Sequence, residues 1–499
     1  MGETRAVQVE SYPAIIGGER VNGSRFFEDI DPSTGQPFAT VTRCGESEIN
    51  QAVDAAREAH ERTWRRTTPA ERARVLHKIA ELLRRDHEEL ARLESMDTGK
   101  ALKQARADVT VAARYFEFYA NTIESFYGDT IPALADTFVY TVREPYGVTA
   151  QIIPWNYPIQ IGCRTVVPAL ATGNCCVMKP ATEAPLTPIK LGELALEAGL
   201  PPGALNVVPG GGQEAGAPLA AHSGIDHLAF TGSVEVGKLV SKAAAENAIP
   251  VTLELGGKSP NIVFADADID RAVPVIVNSI IQNAGQTCAA GSRLLVDERV
   301  QDRVLDAVGA KFKEVTIGPG LEDPDLGPLI SKVQLENVDT YVQAGKQEAT
   351  LLAGGDVVRE DRLRGGYFFE PTLFGGVSPG DRLAQEEVFG PVLAASSFEG
   401  IEEAAEVANA TDYGLVAAVW TRDVGKAHWL AREVRAGQVF VNTYGAGGGV
   451  ELPFGGFKKS GYGREKGYEA LFEYSQVKTV AIKYDGGDTR RYIDRIAPD

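Results

Sequence analysis

Apolar positions follow two rhythms along the chain. Between residues 47 and 120 they recur at helical spacing: Leu76, Ile79 and Leu83 form a stripe that Leu90 and Leu93 continue. Thr68-Pro69 marks a start, with a capping hydroxyl ahead of a proline suited to the first turn. The stripe reads as a packing face, and Arg72, Arg74, Arg84 and Arg85 as the solvated face opposite. From about residue 148 the texture changes. Short apolar runs at 148–153, 175–178, 205–208, 227–230, 252–255 and 261–264 read as strands, with helical stretches at 187–198 and 234–248 among them. The alternation resumes after about residue 290, through 293–296, 303–315, 417–421 and 438–441. Strand–helix–strand order predicts parallel sheet covered on both faces, so two doubly wound α/β lobes are expected. The tail from Asp485 reads as exposed.

Composition narrows the field. A chain of 499 residues, 44% of them hydrophobic, is too long for one core and too apolar for disorder. No uninterrupted apolar run of about 18 residues is present, so no membrane partner is expected. Lys and Arg number 50 against 68 Asp and Glu, a net charge of −18, which argues against a nucleic-acid partner. Five cysteines are too few for a disulfide scaffold, and the N-terminus has no secretory pattern. A soluble cytoplasmic protein is expected, in which each thiol needs its own explanation.

Several segments carry candidate chemistry. Gly210–Ala215 has a G-x-G-x-x-A spacing after an apolar run, but glycine makes up 53 of 499 residues and the match reads as a loop. Phe230-Thr231-Gly232-Ser233 ends one strand and opens a helix, whose N-terminus suits a pyrophosphate. Glu254 ends an apolar strand, where a carboxyl with raised pKa can act as a base. Cys288 lies in the small-residue stretch Thr287–Gly291, suited to exposing a thiol nucleophile. Cys175 and Cys176 lie in a buried strand, Cys44 reads as structural, and Cys163 is placed near the tunnel by its nearness to Asn156. No His/Cys cluster has metal-ligand spacing, so no metal is expected, and the six scattered histidines disfavour a Cys–His hydrolase.

Seven motifs in order complete the pattern: Pro154-Trp155-Asn156-Tyr157-Pro158, Lys179-Pro180-Ala181, Phe230–Ser233, Glu254-Leu255-Gly256-Gly257-Lys258, Gly285-Gln286-Thr287-Cys288, Glu387–Val392 and Pro453–Gly456. On these the chain, from about Tyr12 to Lys483, resembles the non-phosphorylating, NAD(P)-dependent aldehyde dehydrogenases. The resemblance implies two Rossmann-like doubly wound domains plus a small β oligomerisation arm. Residues 1–122 and 146–256 would bind cofactor, 257–458 would be catalytic, and 123–145 with 459–499 would bridge subunits. It makes Cys288 the nucleophile, Asn156 the oxyanion donor and Glu254 the base that activates water. Ile152, Trp155, Lys179, Thr182, Gly232, Ser233, Leu255, Glu387 and Phe389 fall at cofactor positions. The implied partners are a small-molecule aldehyde, NAD or NADP, and further copies of the chain in a homodimer or homotetramer.

Two departures from the family pattern bear on specificity. Thr182 stands where many NAD-preferring members have glutamate, with Glu183 next to it, which raises NADP use. Arg164 stands where many aliphatic-aldehyde members have a bulky apolar residue; such an arginine occurs in relatives acting on semialdehydes and on aromatic aldehydes. It is read either as a carboxylate receptor or as a structural ion-pair partner. Tyr157 and Phe454, with Tyr115, Phe118, Tyr119 and Tyr444, are candidates for an aromatic tunnel. The alternatives are a CoA-acylating relative, which would lack the base, and a catalytically silent structural relative.

Overall fold

The computed structural model describes residues 10–134, 136–445 and 449–484; the tail from Asp485 lies outside the described residues. Two large sheets dominate it. In the first, the strands Val251–Glu254, His227–Thr231, Val148–Ile152, Cys175–Lys179 and Leu205–Val207 lie side by side and pair in parallel. Antiparallel strands close both edges: Gly461–Tyr462 beside Val251–Glu254, and Ala14–Ile16 with Glu19–Val21 beyond Leu205–Val207. Chain order reverses between Val148–Ile152 and His227–Thr231. A doubly wound sheet opens its ligand crevice at such a reversal, at the carboxyl ends of the strands.

The second sheet runs Thr350–Ala353, Thr372–Gly375, Val392–Phe398, Arg293–Asp297, Pro260–Val263, Val416–Trp420 and Gln438–Val441. All neighbours are parallel except the first pair. Each sheet has a core of its own, around Leu76, Ile79 and Val177 in the first lobe and Ile276, Leu294 and Phe374 in the second. Inner strands such as Val148–Ile152, Cys175–Lys179 and Arg293–Asp297 are buried from end to end because helices cover both faces, which explains their unbroken apolar runs.

The helix Pro69–Arg85 starts as its sequence predicts: Glu71 N–H donates to Thr68 Oγ1 at 3.3 Å, and the Glu71 carboxylate accepts from Thr68 N–H at 2.7 Å. Its arginines do not share one fate. Arg74, Arg84 and Arg85 are exposed, but Arg72 is buried. Its Nε donates to the Ala171 carbonyl and its Nη1 to the Thr67 carbonyl, both at 2.7 Å. The expected solvated role is therefore corrected. Carbonyls left open at the end of the helix Pro158–Thr172 attract the cation inward.

A third sheet extends from the body. Ser475–Lys483 pairs antiparallel along all of Thr137–Pro145, which also pairs with Thr130–Leu134. The segment just before it, from residue 459, lies elsewhere: Gly461–Tyr462 joins the first sheet, and Leu471 and Tyr474 enter the first core.

Candidate active site

The helix Pro158–Thr172 begins just after Asn156, with Pro158 in its first turn. Asn156 is buried; its Nδ2 donates to the Gln286 carbonyl at 2.9 Å, and its own carbonyl accepts from Asn283 Nδ2 at 2.9 Å. One Nδ2–H is thereby fixed and the other is left for a ligand. Across from it, the helix Ile269–Ile281 runs into three left-handed residues, Asn283 (φ 50°), Ala284 (φ 53°) and Gly285 (φ 73°). A side chain at Gly285 would strike the Gly390 carbonyl. That contact locks the turn bearing Cys288 to the segment bearing Glu387 and Phe389.

Polar groups from both lobes hold the nucleophile turn. Tyr157 Oη and Thr287 Oγ1 share a hydrogen bond of 2.8 Å, Tyr444 Oη donates to the Ala289 carbonyl at 2.7 Å, and Gln286 Oε1 accepts from Ile330 N–H at 2.9 Å. Cys288 is the one cysteine among the five that is not buried. It opens on a cavity of about 440 Å³ whose wall includes Tyr157, Arg164, Phe440, Tyr444, Phe454 and Lys466. Thr287 borders this cavity and also a second recess formed with Gly257, Glu387 and Phe389. Burial pushes the pKa of the Cys288 thiol up to about 11, against the pull of Arg164.

Glu254 ends the strand Val251–Glu254, and both its carboxylate oxygens are buried without a hydrogen-bond partner among the described residues. Burial, followed by the nearby Glu465 carboxylate, raises its pKa well above the carboxylate range; Arg164, Arg464 and Lys466 act in the other direction. Such a carboxyl is a base held in reserve.

The positions read as cofactor contacts gather at the carboxyl ends of the first sheet. Ile152 and Lys179 end their strands, and Gly232 and Ser233 follow His227–Thr231. Ser233 caps the helix Val234–Glu246 by accepting from Val236 N–H at 3.3 Å. Leu255 packs over Gly237 of that helix, where a Cβ would collide with it. Burial lowers the pKa of Lys179 to about 8, and its Nζ donates to the Pro180 carbonyl at 2.8 Å. Thr182 is half-buried and donates to the Glu183 carboxylate at 3.0 Å. Glu387 accepts from Gly257 N–H at 3.0 Å, and burial raises its pKa to about 7. Trp155 meets the edge of Phe389 at 5.3 Å between ring centroids, and Phe389 itself is left-handed at φ 56°. A capped helix N-terminus, a bare Gly232 and a carboxylate beside two glycines fit a dinucleotide.

Three expectations about the substrate side change. Tyr115 and Tyr119 are buried in the first core and Phe118 packs against it, so none of the three borders the cavity. Cys163 is likewise buried away from it. Arg164 does border the cavity, but its guanidinium closes on the buried Glu465 carboxylate and lies over the Phe454 ring, 5.2 Å from the centroid. The structural partner anticipated for this arginine is therefore present. Glu465, Lys466 and Asp108 were not singled out from the sequence. The signal available was the run Arg464-Glu465-Lys466-Gly467 just beyond Pro453–Gly456, which lay in the segment assigned to the arm.

Two doubly wound lobes with one accessible thiol between them define an enzyme of the α/β class. Residues 20–480 match the aldehyde dehydrogenase family. The mitochondrial aldehyde dehydrogenase of Mesocricetus auratus is 43% identical over 462 residues, 92% of each chain. The indole-3-acetaldehyde dehydrogenase of P. syringae, solved with NAD+, superimposes with a TM-score of 0.92 at 41% identity, over 95% of this chain and 96% of that one. The betaine aldehyde dehydrogenase of Staphylococcus aureus, also solved with NAD+, gives 0.94 at 38% identity over 96% of each chain. The chain belongs to the aldehyde dehydrogenase family and is an oxidoreductase.

Proposed function

We propose that the protein oxidises an aldehyde to its carboxylic acid with NAD, through a thioester on Cys288 that Glu254 resolves with water. The observation that carries this reading is the placement of Cys288 on the wall of the 440 Å³ cavity, within the electrostatic reach of Glu254. The Cys288 thiol gives its proton to solvent, and its sulfur bonds to the aldehyde carbon while the carbonyl π pair moves onto oxygen. The free N–H of Asn156 and the Cys288 backbone N–H stabilise the new oxyanion. When bound at the carboxyl ends of the first sheet, a nicotinamide dinucleotide would supply the hydride acceptor. The resulting thioester is open to water, from which Glu254 takes a proton; the sulfur–carbon bond breaks and the acid leaves. Ile152, Trp155, Lys179, Gly232, Ser233, Leu255, Glu387 and Phe389 hold the cofactor in this reading.

The Glu183 carboxylate, hydrogen-bonded to Thr182, favours NAD over NADP: it accepts from a ribose hydroxyl and repels a 2′-phosphate. Aromatic or carboxylate-bearing aldehydes suit a cavity whose wall carries Tyr157, Phe440, Tyr444 and Phe454. The test is reduced-cofactor formation with a panel of aldehydes, with NAD and NADP, with and without CoA. Acid formation independent of CoA supports the reading. Strict dependence on CoA would favour the acylating alternative, and no turnover with any aldehyde the silent one.

A further inference from the structure

The charges around the 440 Å³ cavity pair off, with one exception. Asp108 accepts from Lys100 at 2.6 Å and from Gln160 Nε2 at 3.1 Å, while Glu94 takes Lys100 from the other side at 3.2 Å. Arg164 closes on Glu465 through its Nε, which balances its charge, although its buried Nη2 has no hydrogen-bond partner among the described residues. Lys466 is the exception. Among the described residues, no carboxylate lies within ion-pair distance of its ammonium, which lies over the face of Phe454, 5.1 Å from the ring centroid. It shares the cavity wall with Cys288.

The backbone that presents Lys466 is also unusual. Its φ is 62°, in the left-handed region that residues with a side chain seldom adopt. Both flanks are fixed. Glu465 N–H donates to the Phe454 carbonyl at 2.8 Å, Gly467 N–H donates to the Val450 carbonyl at 2.8 Å, and Tyr119 Oη donates to the Gly467 carbonyl at 3.1 Å. Strain retained this close to a reactive thiol points to a function for the side chain it aims. Burial, followed by Arg164, lowers the pKa of the ammonium to about 8, while Cys288, Glu465 and Glu254 act in the other direction. A desolvated cation without a close counter-ion gains most from an anion brought by a ligand.

We propose that Lys466 determines substrate choice, its ammonium receiving the carboxylate of an aldehyde that carries an acid group at its far end. This rests on the aldehyde-oxidation reading above. Arg164, already neutralised by Glu465, supports the wall and orients Phe454. The aldehyde group is thereby left toward Cys288, and the product is a dicarboxylate.

The test uses the full-length enzyme with succinic semialdehyde and pentanal as an acid-bearing and a neutral probe, followed by longer and shorter pairs. The expected result is a wild-type kcat/KM ratio that favours the acid-bearing probe in at least one pair. In Lys466→Met that ratio falls by about 30-fold or more, through KM rather than kcat, and Lys466→Arg restores most of it. Dicarboxylates such as succinate should compete with pentanal in the wild type and lose that competition in Lys466→Met. Equal losses on both probes would overturn the proposal and place Lys466 in the electrostatics of the thiol or the stability of its turn. A wild type with no preference for acid-bearing aldehydes at any length would also overturn it. A wild type that oxidises no aldehyde would overturn the reading beneath it.

Discussion

Cys288 starts as a poor nucleophile. Its pKa of about 11 leaves it a thiol at neutral pH, and burial also raises the pKa of the Glu254 carboxyl. Both active forms therefore grow as pH rises. Among the charges facing Glu254, Glu465 opposes its ionisation and Arg164, Arg464 and Lys466 assist it. We expect kcat to rise with pH above neutrality in steady-state assays, and Glu254→Gln to flatten the part of that rise that belongs to the carboxyl. Replacing Asn156 by Ala should lower kcat by about 10²–10³ while KM changes little, since the lost donor acts on the oxyanion and not on the aldehyde. The sequence singles these three residues out because each lies in a short contiguous motif. It does not single out Lys466. Its place in the cavity depends on a left-handed turn held by Phe454, Val450 and Tyr119, and no spacing in the sequence shows that folding.

Elements set the positions of these groups. The left-handed run Asn283–Gly285 turns the chain out of a helix and against the Gly390 carbonyl, so Gly285→Ala needs both a strained φ and a displaced neighbour. We expect it to destabilise the fold by about 1–3 kcal/mol in denaturant titration and to reduce activity more than stability alone explains. Arg72→Met should cost about 2–3 kcal/mol by the same measurement, because the Ala171 and Thr67 carbonyls lose a charged donor. Most strands of the two large sheets were legible from apolar runs bounded by polar turns. The inward turn of Arg72 was not: helical periodicity describes one helix, and the carbonyls that attract this arginine belong to another.

At the scale of the molecule, the division into two doubly wound lobes follows from strand–helix alternation, whereas the arm was implied by the family resemblance. Phe138, Val477 and Ile482 remain about half exposed on that arm. Exposed sheet of this kind seeks a partner, so we expect a homodimer or homotetramer by light scattering, with Val477→Asp shifting the mass toward the monomer. What no single segment displays is the convergence of the lobes, where Asn156 bonds to Gln286 in the turn before Cys288 and Glu254 lies within electrostatic reach of its thiol. Glu254→Gln tests that convergence most directly, by intact-mass measurement after mixing with aldehyde and NAD. The account predicts one equivalent of reduced cofactor in a burst, slow turnover afterwards, and an acyl adduct that maps to Cys288. Undiminished steady turnover with no adduct would contradict it.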